Sequence, residues 1–165
     1  MLGMSLATFT FVHVLISLIG IGTGLAVMYG LLRGYRMDGL TAAFLATTAL
    51  TSISGFGFPF TQLLPSHKVG IISLVLLALA IPARYVFHLT GPWRLTYVVT
   101  AAMALYLNCF VLVVQLFMKV PALKALAPTQ KEPPFLVAQL IVLALFIGLT
   151  ILAAKRFRVG SVQTA

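Results

Sequence analysis

The stretch Leu6–Leu32, LATFTFVHVLISLIGIGTGLAVMYGLL, carries no charged side chain over 27 residues. A transmembrane helix needs about 20 mostly apolar residues, because the hydrocarbon layer is about 30 Å thick and each helical residue rises about 1.5 Å. Four further stretches meet the same length: Leu40–Phe60, Val69–His88, Leu95–Met118 and Phe135–Ala154. The expected fold is therefore all-α, a polytopic membrane bundle of five transmembrane helices joined by short loops. Residues 1–165 form a single membrane domain in this reading.

The composition agrees. With 61% of residues hydrophobic and 8% charged, a water-soluble domain of this size would lack the polar cover its surface needs. Backbone groups within lipid have to be satisfied inside the segment, and the apolar runs lack the two-residue alternation of barrel strands, so helices are expected. The first span has no basic start and an apolar core far longer than the usual 7–15 residues of a secretory signal, which marks it as a retained span. The single Cys109 lies within the fourth span and excludes an internal disulfide and a paired-cysteine metal site.

A net charge of +9 suggests nucleic acid until the cations are placed on the spans. Arg33, Arg36, Arg84, Arg94, Lys155, Arg156 and Arg158 fall on one face of the membrane, and Lys68, Lys119, Lys124 and Lys131 on the other. This excess gives the first face to the cytoplasm by the positive-inside rule, with the amino terminus outside and the carboxyl terminus inside. Nucleic acid is not an expected partner.

The connections Gly34–Gly39, Thr61–Lys68 and Leu89–Arg94 are short, so consecutive helices are antiparallel neighbours. The outer loop over 119–134 differs, because its four prolines, Pro121, Pro128, Pro133 and Pro134, prevent a continuous helix. Within it, Val120–Ala127 reads either as a short interfacial helix with Leu123 and Leu126 toward lipid or as an ordinary linker. Residues 159–165 are expected to be a flexible tail.

In lipid, small and polar residues identify the helix faces that meet other helices. His13, Ser17, Gly20 and Gly24 share one face of the first span, with Gly20 and Gly24 as a small-xxx-small packing pair. Thr47, Thr51 and Ser54 form one stripe of the second span, beside Thr48, Ser52 and Gly55. Tyr97, Ala101, Ala104, Asn108 and Gln115 share a face of the fourth span, as Gln139 and Thr150 do on the fifth. His13 lies about 12 Å below the outer surface if its span begins near Ser5. At that general level stand Ser17, Thr51, Ser54, Asn108, Gln115 and Gln139. They form either an interhelical hydrogen-bond network or a small outward-facing polar pocket capped by Gln62 and His67. At the inner end of the third span, Arg84, His88 and Trp93 are expected to contact lipid head groups, with Arg84 snorkelling.

The stretches Phe58–Gly70, FPFTQLLPSHKVG, and Lys119–Pro128, KVPALKALAP, resemble segments of small multi-pass bacterial inner-membrane proteins. The resemblance implies a bacterial cytoplasmic membrane and the same number of spans, and brings no activity, ligand or catalytic residue. The sequence holds no carboxylate pair, nucleophile motif, phosphate loop or metal-spaced histidine pair, so an enzyme is disfavoured and no catalytic or metal-binding residue is assigned. The favoured reading is an accessory, assembly or structural subunit packed beside a larger membrane complex. The first alternative is a membrane protein that binds a small molecule, a quinone or a haem b at the outer polar residues, with His13 and His67 as haem ligands or His13 and Asn108 at a quinone. The second is an oligomeric transporter or channel, in which a homo-oligomer supplies the polar path. No cofactor is predicted beyond those alternatives, and the lipid bilayer is the expected surrounding partner.

Overall fold

The computed structural model describes residues 3–59 and 65–158, and in them the chain is all-helical with no strand. Its elements are α1 (Leu6–Arg33), α2 (Asp38–Gly55), α3 (Pro65–Tyr85), α4 (Pro92–Lys119), the short α5 (Pro121–Leu126) and α6 (Pro133–Arg156). Of these, α1, α3, α4 and α6 are long and apolar enough to cross a membrane. The expectation of five spans is met for these four. Helix α2 is less apolar, since its 18 residues include Asp38, Gly39, Gly55 and the hydroxyls of Thr41, Thr47, Thr48, Thr51, Ser52 and Ser54. The second span was expected to reach Phe60, but α2 stops at Gly55, where Phe56, Gly57 and Pro59 follow in turn and irregular backbone. Phe60 itself, Gln62 and the tail 159–165 lie outside the described residues.

The termini of the helices follow local chemistry. Ser5 caps α1 by accepting a hydrogen bond from the Thr8 N–H at 3.2 Å. Gly34 closes the other end at φ 78°, a left-handed conformation that glycine adopts without strain, and its N–H returns to the carbonyls of Gly30 and Leu31. Prolines open α4, α5 and α6, where the missing N–H costs nothing. Helix α3 ends three residues before the expected His88, with His88 and Leu89 both at positive φ.

Helices α1, α2, α3, α4 and α6 each pack against the next, and α6 returns to α1, so they close a ring, while α1 also touches α4 across it. The principal core fills this ring, with Val27, Phe44, Leu77, Tyr97, Leu105 and Phe146 among its members. A second cluster of Phe117, Ala127 and Phe135 holds α5 against the last turn of α4 and the first turn of α6. Leu123 packs on that cluster, so it is not turned outward as expected, whereas Leu126 is exposed.

Candidate functional site

Glycines bring α1 against α2 and place the polar residues toward the N-terminal end of α1. Gly20 faces the Thr47 hydroxyl, and Gly24 faces the Phe44 ring and Leu105 so closely that a β-carbon there would stand 2.5 Å from a Leu105 methyl. At the next level outward, His13 Nδ1 is hydrogen-bonded to Ser54 Oγ at 2.8 Å. The Ser17 hydroxyl donates to the His13 carbonyl at 2.7 Å and to Thr51 Oγ1 at 3.3 Å. The His13 ring also stands edge-on to Phe58, with centroids 5.1 Å apart. Four of the predicted pocket residues, His13, Ser17, Thr51 and Ser54, thus form one continuous network across α1 and α2.

The others are placed elsewhere. Asn108 reaches from α4 to donate to Thr48 Oγ1 at 3.0 Å, one turn closer to the middle of α2. Gln139 of α6 donates to the Phe110 carbonyl at 3.2 Å, and its buried Oε1 has no hydrogen-bond partner. Gln115 is on an exposed part of α4, apart from all of these. His67 is buried and stacks on Phe56 at 5.4 Å. The predicted cap at His67 therefore belongs to the packed interior, and Gln62 lies outside the described residues.

The opposite end of the bundle departs most from the sequence reading. Arg84 does not extend toward head groups. It is 2% exposed, ion-paired with Asp38, and its guanidinium carbon sits 5.1 Å from the centre of the Tyr97 ring. Helix α3 turns this side chain into the bundle, where the start of α2 supplies the countercharge. His88 is exposed in a left-handed backbone conformation, and Trp93 stacks on Phe87 with centroids 3.8 Å apart. Asp38 and Tyr97 are thus the partners that sequence reasoning missed. The available signal was the position of Arg84 inside an apolar run and of Asp38 as the one acidic residue at that end.

Two open clefts lie at the ends of the bundle. The larger, about 610 Å³, has Thr90, Gly91 and Arg94 on one side and Lys155 and Arg158 on the other. The smaller, about 270 Å³, lies between the end of α4 and the outer loop at Lys124, Thr129 and Gln130. Neither is lined by a residue of the predicted polar pocket. Arg94 is held at the larger cleft by donating Nη1 hydrogen bonds to the Ala154 carbonyl at 2.9 Å and to the Phe157 carbonyl. These carbonyls lie at the end of α6, where no later helical N–H reaches them.

The architecture is that of a multi-pass α-helical membrane protein: apolar helices, outward-facing aliphatic side chains and polar groups turned toward one another. The chain matches no protein-family model, no curated protein and no solved structure.

Proposed function

We propose that this is a five-span protein of the bacterial cytoplasmic membrane that serves as an accessory, assembly or structural subunit of a larger membrane complex. The observation that carries this reading is how the polar groups of the membrane-crossing helices are used: His13 with Ser54, Ser17 with Thr51, and Asn108 with Thr48 bind helix to helix. Such bonds hold a bundle together, each worth on the order of 1 kcal/mol or less. Outside them, α6 presents Leu136, Leu140, Ile141, Leu145, Ile147 and Ile151 outward, an apolar surface suited to lipid or to another membrane helix.

In this reading helix α2 lies along α1 from the basic end as far as His13. Its first residue meets Arg84 at the basic end, and Ser54, near its last turn, meets His13 in the outer half. At about 1.5 Å per residue its 18 residues extend about 27 Å, close to the hydrocarbon thickness. The basic end faces the cytoplasm, and the amino terminus lies outside.

The test is affinity purification of the tagged full-length protein from its native membrane in mild detergent, with co-purifying proteins quantified by mass spectrometry. Membrane proteins recovered at fixed stoichiometry are the expected result. Recovery of the chain alone or as a homo-oligomer would remove the accessory role and return attention to the network around His13.

A further inference from the structure

We infer that the cleft at the basic end of the bundle binds a phosphate-bearing anion, and that an anionic lipid head group is its source. Three cations from two elements line this cleft: Arg94 in the first turn of α4, Lys155 in the last turn of α6, and Arg158 just beyond it. Among the described residues no acidic side chain lines it. Asp38, the acidic residue at this end, is committed to Arg84.

The cleft has further features of an anion site. Arg94 is anchored through Nη1 to the Ala154 and Phe157 carbonyls, so part of the ordering that binding requires is already done. The planar guanidinium of Arg94 suits a phosphate in particular, because its fork of donors can engage two oxygens at once. Gly91 opens α4 without a side-chain cap. Nothing lies within 4 Å of the place its β-carbon would occupy. The start of α4 is therefore not covered by other atoms beside the cleft. At about 610 Å³, the opening falls within the usual size of small-ligand sites, about 300–1,000 Å³.

The lipid is favoured as the source by position. The cleft lies where α4 begins and α6 ends, the level at which the apolar helices reach the membrane surface. The positive-inside rule accounts for cations at this end. It does not account for their convergence from two helices into one cavity.

The experiment uses the full-length protein in mild detergent, incubated with phosphatidylglycerol or phosphatidylcholine and read by native mass spectrometry. Wild type is expected to retain phosphatidylglycerol in preference to phosphatidylcholine. Lys155→Gln combined with Arg158→Gln should cut that retention about thirtyfold, by the usual attraction of surface cations to anionic lipid. Lys124→Gln with Lys131→Gln removes the same charge at the outer end and should leave it unchanged. Arg94 is left intact because it also holds the end of α6, and Lys155→Gln alone serves if the double variant melts early. Equal retention by wild type and the inner double variant would overturn the proposal, as would equal retention of the two lipids. Displacement of phosphatidylglycerol by millimolar inorganic phosphate would uphold the phosphate site and overturn the lipid as its source.

Discussion

Arg84 of α3 and Asp38 of α2 form an ion pair whose two ends occupy different surroundings: the arginine side chain is 1% exposed and the aspartate 58%. The aspartate stands at the first turn of α2, where the helix dipole also favours negative charge. The arginine lies over Tyr97 of α4. One buried cation thus ties α2, α3 and α4 together at the basic end, while its countercharge keeps contact with water.

Removing the countercharge should be costly. In Asp38→Asn the guanidinium stays buried without a carboxylate. The loss for a fully enclosed pair is about 3–5 kcal/mol. Because Asp38 is more than half exposed, screening reduces the expected loss to about 1–3 kcal/mol. Unfolding in mixed micelles should show this destabilisation for Asp38→Asn, and the double variant with Arg84→Met should be less destabilised than the two single variants summed. Strict additivity would mean that the pair contributes no coupling.

The first helix offers a graded test of packing. A β-carbon at Gly24 would stand 2.5 Å from Leu105 and 2.8 Å from Phe44, both nearly fully buried, one at Gly20 would stand 3.1 Å from the Thr47 hydroxyl, and one at Gly22 would meet nothing within 4 Å. Overpacking costs about 1–3 kcal/mol, against a helix-propensity gain of about 1 kcal/mol for alanine over glycine. Melting temperatures in detergent should therefore fall in the order Gly22→Ala, Gly20→Ala, Gly24→Ala, with Gly22→Ala at or above wild type. A Gly24→Ala protein as stable as Gly22→Ala would show that the α1–α4 contact yields freely.

Helix existence was readable from the sequence because apolar length is a local property. The bounds of α1, α4 and α6 lie close to the runs Leu6–Leu32, Leu95–Met118 and Phe135–Ala154. Small-residue spacing put Gly20 and Gly24 on one helix face, and in the structure they face Thr47, Phe44 and Leu105. What local pattern does not carry is which distant residue supplies a partner. Arg84 reads as a snorkelling cation until Asp38, 46 positions away, comes beside it. Asn108 and Gln139 read from the sequence as level with His13, yet they bond to Thr48 and to the Phe110 carbonyl instead. Arg94 reads only as a loop charge until the end of α6, 60 residues later, brings its carbonyls into reach.

The bond between His13 and Ser54 should appear as coupling. Intramembrane hydrogen bonds measured by double-mutant cycles average about 0.6 kcal/mol and reach about 1.7 kcal/mol. A cycle of His13→Leu and Ser54→Ala should give a coupling in that range. The same cycle between His13→Leu and Gln115→Leu should give none, because Gln115 is on an exposed part of α4. Equal couplings would separate the effect of His13 from the contact at 2.8 Å.

The loop between α5 and α6 carries a pH-sensitive contact. Glu132 accepts hydrogen bonds from the Thr129 hydroxyl at 2.8 Å, the Thr129 N–H at 3.2 Å and the Lys131 N–H at 3.0 Å. Desolvation alone raises the carboxyl pKa, but these hydrogen bonds together outweigh it and bring the pKa below its ordinary 4.5. A carboxylate held below its unfolded value contributes stability above that value and loses it as pH falls through the folded one. Carbon NMR titration of Glu132 should place its midpoint below 4.5, and Thr129→Ala should move the midpoint upward. Loop order should persist at neutral pH and decline only below the ordinary carboxylate range.

The course of α2 gives the sharpest test of membrane topology. In Cys109→Ala protein, single cysteines at Tyr35, Ser66, Thr90 and Thr129 report on the four connections between successive long helices, at exposed positions of the fold. If α2 crosses the bilayer, membrane-impermeant thiol reagents should reach Ser66 and Thr129 from outside, and Tyr35 and Thr90 only from the cytoplasmic face. Labelling of Tyr35 and Ser66 from the same side would mean that α2 enters and leaves by one surface. Its hydroxyls would then belong to a re-entrant segment, which is tolerated only where protein or water covers it. Opposite-side labelling with the two faces exchanged would keep all five crossings and reverse the orientation.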